Sequence, residues 1–232
     1  MLQIRRANER GHFSADWLSS YHTFSFSDYY DPDHMGFRQL RVINEDRVQP
    51  GGGFPQHPHR DMEILSLVLS GELKHEDSLG GSKIIPAGGV QLISAGTGLQ
   101  HSEYNPSTES EVRFLQIWIH PARENLDPAY QFANFDLWSQ IDTLVPIANQ
   151  DGRAGAVTIH QDVSINYLNL SRGSRFEKTI DAGRHVWVQM TAGSVDVAGT
   201  NLEAGDGLAV SEETELIFSS VGGSQLLIFD LN

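Results

Sequence analysis

The chain has 232 residues, 39% of them hydrophobic and 20% charged, enough for one large β domain or two small ones with ordinary cores. Acidic residues outnumber basic ones 30 to 16, a formal charge of −14 that disfavours direct contact with nucleic acid or anionic membranes. With no cysteine, a disulfide-stapled secreted scaffold is excluded, and any metal must be held by histidine, carboxylate or backbone oxygen.

Met1–Arg10 carries three arginines with no apolar stretch after them, so no signal peptide is expected. No run reaches the ~18 apolar residues of a membrane span, and a cytoplasmic protein is expected. Trp17 to Phe37 is rich in aromatics interleaved with Ser and Asp. Within it His22, Phe24 and Phe26 alternate with Thr23 and Ser25, which predicts a strand. These aromatics are expected in the core, with Phe24 or Phe26 the best candidates to line a pocket. Asp31-Pro32-Asp33 marks a turn. Leu40 to Asn44 reads as a strand, ended by the turn at Pro50-Gly51-Gly52-Gly53.

Glu63 to Leu69 reads as a buried strand closed by Gly71. Leu73–Glu76 and Lys83–Ile85 flank a Ser-Leu-Gly-Gly loop, as in a hairpin. Val90–Ser94 and Arg113–Ile119 are further strands, the first followed by a turn at Gly96 and Gly98. Strands at this spacing with Gly and Pro turns predict a sandwich or barrel. Pro121 to about Ile147 is less periodic and reads as an interdomain region with short helical turns.

The second half repeats this grammar. Val186–Thr191 ends at Gly193, as Glu63–Leu69 ends near Gly71. Val195–Val197, Leu202, Leu208–Val210, Glu215–Phe218 and Gln225–Asp230 follow. A duplicated β domain is expected, divided as 1–125 and 126–232. Only the first copy carries closely spaced histidines, since the second keeps His160 and His185 far apart.

Two strings carry the candidate chemistry: His57-Pro58-His59 and His101-Ser102-Glu103. On an extended strand, residues i and i+2 leave the same face. Two such strands side by side aim three imidazoles and a carboxylate at one point. That set suits a divalent transition metal and leaves room for water, substrate or dioxygen. By ligand type alone Ni, Mn, Cu, Co or Zn would fit. Glu63 reads as a buried carboxyl supporting a ligand histidine, and His75 as a solvated strand residue beside acidic neighbours. His22 and His34 are expected to serve packing or loop hydrogen bonds.

The framing of these strings resembles the two cupin motifs. The first places His57-x-His59 and Glu63 after Gly51, and the second His101 and Asn105 after Gly98. The usual proline of the second motif is missing, with Gly96 near that position. More specifically, the chain resembles the pirin family. The matching text is HTFSF at His22–Phe26, Asp31-Pro32, HPHRDMEIL at His57–Leu65, HEDSLG at His75–Gly80 and SAGTGLQHSEYN at Ser94–Asn105. Asp61-Met62 stand where the family often has Gly-Phe. The likeness is dense in the N-terminal half and rests on overall layout in the C-terminal half.

The resemblance implies an all-β bicupin of two β-barrel (jelly-roll) domains with one metal in the N-terminal barrel. It implies His57, His59, His101 and Glu103 as ligands, with Fe(II) the expected ion. It further implies an oxidoreductase, a dioxygenase cleaving flavonols such as quercetin, with the flavonol and dioxygen as substrates. Glu103 would serve as ligand and as the base taking the 3-hydroxyl proton. The alternative is a metal- or redox-sensing coregulator-like interaction protein, or a non-oxidative cupin enzyme. A monomer is expected, because two fused barrels can satisfy within one chain the packing that single cupins find by dimerising.

Overall fold

The computed structural model describes residues 1–232 as twenty-one strands with two short 3-10 turns. No helix is long and apolar enough to cross a membrane. In chain order come β1 (Leu2–Arg5), β2 (Gly11–Ala15), β3 (Leu18–His22), β4 (Leu40–Val48), β5 (Gly53–His59), β6 (Glu63–Ser70) and β7 (Glu72–Asp77). Next are β8 (Ser82–Pro86), β9 (Gly89–Ser94), β10 (Leu99–Tyr104), β11 (Val112–Ile119), β12 (Ala129–Asn134), β13 (Leu144–Asn149) and β14 (Val157–Thr158). The last are β15 (Val163–Leu170), β16 (Arg175–Thr179), β17 (His185–Val197), β18 (Thr200–Glu203), β19 (Gly207–Val210), β20 (Glu215–Ser219) and β21 (Ser224–Leu231).

The chain forms two compact units. One is Gly11–Phe135 with Val157–Gln161, and the other is Met1–Arg10, Asp136–Ala156 and Asp162–Asn232. These bounds differ from a cut between 125 and 126, and two strands account for the difference. β12 lies beyond residue 125 yet pairs with β9 of the first unit. β1 opens the chain yet pairs with β19 of the second.

Each unit is a pair of antiparallel sheets in a jelly-roll arrangement. In the first, a sheet in the order β12-β9-β6-β11-β4-β3-β2 accompanies a sheet in the order β5-β10-β7-β8. In the second, the order β1-β19-β17-β21-β15-β13 accompanies β16, β20 and β18, joined through the far end of β17. The duplication is therefore a matter of strand order: β17 sits between β19 and β21 as β6 sits between β9 and β11. β1 takes beside β19 the place that β12 takes beside β9.

Three local expectations are corrected. The strand placed over His22–Phe26 ends at His22, because Thr23 and Ser25 send their N–H groups to Ile43 and His34 carbonyls in an irregular loop. The region 121–147 forms β12 and most of β13 instead of helical turns. β15 is a further central strand that the sequence reading leaves out, buried on both faces, with Val163, Ile165 and Tyr167 on one and Leu168 and Leu170 on the other.

The interiors of the two units differ. In the second, fifteen buried residues including Val186, Val188, Met190, Leu216, Phe218 and Ile228 form one apolar cluster. In the first, two apolar clusters are separated by a polar rung. Leu18, Val48, Val68, Val112 and Phe114 belong to one cluster, and Ile64, Ile93 and Leu99 with Trp118 to the other. Along β6, Ser66 falls between Ile64 and Val68. Along β11, Gln116 falls between Phe114 and Trp118. His22, Asn44, Gln116, Ser66 and Gln91 lie directly opposite one another across five strands, so all five face the same side.

The turn feeding β10 depends on Gly96, whose φ is +46°; a Cβ there would overlap the carbonyl oxygen of Leu126. Gly96→Ala combines left-handed strain with a backbone clash, and we expect it to cost about 3 kcal/mol. Denaturant unfolding checks this; a change within about 0.5 kcal/mol, the usual scale of a surface substitution, would refute it.

Candidate metal centre

β5 and β10 pair antiparallel with His101 directly opposite His57 and Leu99 opposite His59. The i, i+2 spacing on β5 puts both of its histidines on His101's side. Ring centroids lie 4.4 Å apart for His57 and His101, 4.8 Å for His57 and His59, and 4.9 Å for His59 and His101. His59 Nε2 and His101 Nε2 approach to 3.0 Å. One nitrogen from each of the three rings lies within 4.8 Å of the others.

The protonation of these rings suits a metal. Burial, with His57 adding repulsion, lowers His59 to about 4. Burial and the neighbouring imidazoles lower His101 to about 2. Both rings are therefore neutral at pH 7 and offer lone pairs. His57 Nδ1 lies 2.8 Å from the Pro55 carbonyl, which can only accept, so the proton sits on Nδ1 and Nε2 is free to ligate. Three imidazoles converging on one point could hold a divalent metal ion.

Glu103, two residues along β10, is 1% exposed. Its carboxyl is turned toward the polar rung of the facing sheet. Oε1 accepts from Ser66 Oγ at 3.1 Å and Gln91 Nε2 at 2.6 Å, and Oε2 accepts from Gln116 Nε2 at 2.7 Å. Burial is the strongest influence and pushes Glu103 up to about 7; Asp46's charge adds to it, while the three donors oppose it.

The site opens on a cavity of about 710 Å³, within the range that encloses small organic ligands. Trp17, Phe26, Tyr29, Phe54 and Trp118 supply aromatic wall, and Trp118 meets His59 edge-on at 5.0 Å. Of the two aromatic candidates, Phe26 lines the cavity, whereas Phe24 is 2% exposed and sits in the core. Ser20, His22, Asn44, Asp46, Glu103 and Gln116 form its polar part.

Two histidine-linked expectations change. His75 is fully buried, not solvated: alternation on β7 turns Leu73 and His75 inward while Glu72 and Glu76 face out. Its Nε2 lies 2.8 Å from Asp77 Oδ2, and its ring stacks on Tyr130 and comes within 5.5 Å of His101. Against the upward push of burial, His75 and the Gly81 and Leu79 N–H groups hold Asp77 below the usual carboxylate range. Glu63 is buried as expected, but its partners are Ser94 and His160. Residues 63 and 66 stand on opposite faces of β6, so Glu63 faces away from the Ser66 side, to which Glu103 is bonded, and supports none of His57, His59 and His101. Sequence reasoning missed the polar rung and Asp46; the available signal was one polar residue inside each apolar strand, as in EILSLVL, VQLIS and RFLQIWI.

In the second unit β20 takes the place of β10 and turns Leu216 and Phe218 inward, where β10 turns His101 and Glu103.

The Pirin family model matches residues 3–119, and a model described as quercetinase C-terminal cupin domain matches 146–231. The chain is 42% identical over 231 residues to a quercetin 2,3-dioxygenase of Escherichia coli K12, covering 100% of this chain and 99% of that one. It is 33% identical over 231 residues to a pirin-like protein of Caulobacter vibrioides, covering 99% of each. Its structure matches the E. coli bacterial pirin YhhW in complex with nickel(II), with a TM-score of 0.95, 42% identity and coverage of 100% and 99%.

Proposed function

This chain belongs to the pirin family, and on that premise we propose that it is a metal-dependent dioxygenase cleaving flavonols such as quercetin. The observation that carries the reading is the convergence of three imidazoles on an aromatic cavity large enough for a flavonol. His57, His59 and His101 would hold the ion, with Glu103 as fourth ligand. We assign Fe(II) by family; the E. coli structural relative is described with nickel(II). Such an ion, when bound, supplies Lewis acidity toward the flavonol oxygens and a place for dioxygen.

The chain's own residues have separate tasks. Trp17, Phe26, Tyr29, Phe54 and Trp118 pack against flat rings and exclude water. Gln116, Gln91 and Ser66 hold Glu103 in one orientation. Glu103 takes the 3-hydroxyl proton at Oε2, which accepts from Gln116 alone where Oε1 accepts from both Ser66 and Gln91. Ring opening with dioxygen releases carbon monoxide and a depside. We further read the protein as a cytoplasmic monomer; light scattering after size exclusion reports the oligomeric state.

The test is oxygen uptake and carbon monoxide release with quercetin, after separate loading with Fe(II), Ni(II), Mn(II) and Cu(II), beside a His59→Ala control. We expect turnover with at least one ion and its loss in the control. Tight metal binding without turnover under every ion would sink the reading.

A further inference from the structure

Asp46 is a second buried carboxyl in the cavity, and the chemistry above leaves it unused. Alternation along β4 turns Asn44 and Asp46 to the cavity side, where both line it. Opposite Asp46 stand Ser20 on β3 and Phe114 on β11. Asp46 is 2% exposed, and Ser20 hydrogen-bonds its carboxyl. Its Oδ1 is buried with no hydrogen-bond partner.

A buried carboxyl oxygen without a donor is costly, and such groups call for an explanation. Asn44, on the same face, gives this oxygen no hydrogen bond. Glu103 repels it and offers no proton when ionised. What remains is a donor brought into the cavity by a ligand. The aromatic walls admit a flat ring, and the donor that a flat phenolic ring carries is a hydroxyl.

We propose that Asp46 accepts a hydrogen bond from a substrate hydroxyl other than the one that reacts, and so selects polyhydroxylated flavonols over 3-hydroxyflavone. The inference rests on the flavonol reading and names which flavonols the cavity prefers. A site built to accept from a hydroxyl rejects the analogue lacking it, because its acceptor is then left unpaired.

Trp17 and Trp118 line the cavity, so quenching of their fluorescence reports binding without turnover. The full chain is titrated anaerobically, with and without added metal, using 3-hydroxyflavone, galangin, kaempferol and quercetin. At least one hydroxylated flavonol is expected to bind about tenfold to a hundredfold more tightly than 3-hydroxyflavone, the scale of a hydrogen bond to a charged group. Asp46→Leu should erase that preference by weakening the hydroxylated ligands while leaving 3-hydroxyflavone unchanged. Asp46→Asn, which keeps an acceptor, should restore part of it. Asp46→Leu should also raise the melting temperature of the ligand-free protein at pH 8, because a buried charge is removed. Equal affinities across the series in wild type, or a Leu variant that melts lower and weakens every ligand alike, would overturn the proposal. Failure of any flavonol to bind wild type would overturn the flavonol reading itself.

Discussion

Replacing His101 with alanine should abolish both metal binding and quercetin turnover, the largest functional effect expected of any single change in this chain. His101 is the ring that the other two share. It stands directly across the strand pair from His57, its Nε2 lies 3.0 Å from that of His59, and it is fully buried. His57 and His59 alone share one strand and offer two nitrogens, too few to hold a catalytic ion firmly. Removing a residue that merely supports a metal ligand typically costs about 10–100-fold in affinity, so losing this ligand should cost more than about 100-fold. Chelator competition with Ni(II) measures the loss, and circular dichroism verifies that the sheets remain. An affinity within a factor of a few of wild type would show that the metal lies elsewhere.

The second large effect joins stability to chemistry through Glu103. Burial raises its carboxyl from 4.5 to about 7 in the folded protein. Below pH 4.5 the group is protonated in both folded and unfolded chains and has no net effect. As pH rises from 4.5 to about 7 the unfolded chain ionises first, so metal-free protein loses stability, and above about 7 the cost is complete. That interval corresponds to about 3 kcal/mol. His59 and His101 act in the opposite sense, because their lowered values subtract stability as pH falls below 6.5. Their contribution is common to wild type and a Glu103→Gln variant, so the difference between the two isolates Glu103.

Metal-free Glu103→Gln should therefore be more stable than wild type by about 2 kcal/mol at pH 8 and less stable by about 1 kcal/mol near pH 4, where wild-type Glu103 is protonated and only the lost hydrogen bond remains. The figure is below 3 because Gln116 must turn its amide toward the new NH₂ group and give up its 3.2 Å bond from Trp118, a loss of about 1 kcal/mol. The same variant should lose turnover, having neither a charged ligand nor a proton acceptor at that position. Urea unfolding across pH reads the first effect and carbon monoxide release the second. A variant less stable than wild type at pH 8 would mean that the three donors, not burial, govern this carboxyl.

Much of the candidate metal centre was legible because its signals are local. The i, i+2 spacing of His57 and His59, and of His101 and Glu103, requires only that each pair lie on a strand, and each does. Glycine turns and apolar runs likewise marked β6, β9, β11 and β17. Aromatic residues were harder to divide: Phe24 and Phe26 carry the same pattern, but the strand stops at His22, and the loop beyond it sends one inward and the other to the cavity.

What the amino-acid sequence determined by itself was the period-two alternation, the turns and the i, i+2 pairing of His57 with His59 and of His101 with Glu103, all set by covalent geometry within a few residues. The tertiary structure decided which strands lie side by side. Register brings His22, Asn44, Gln116, Ser66 and Gln91, up to 94 residues apart (116 − 22), into one rung and places three of them on Glu103. It exchanges β1 and β12 between the two units, buries His75, and leaves Asp46 with a bare oxygen in an aromatic cavity. Each of these depends on how distant segments pair and on how little water they leave between them, and no local pattern encodes either.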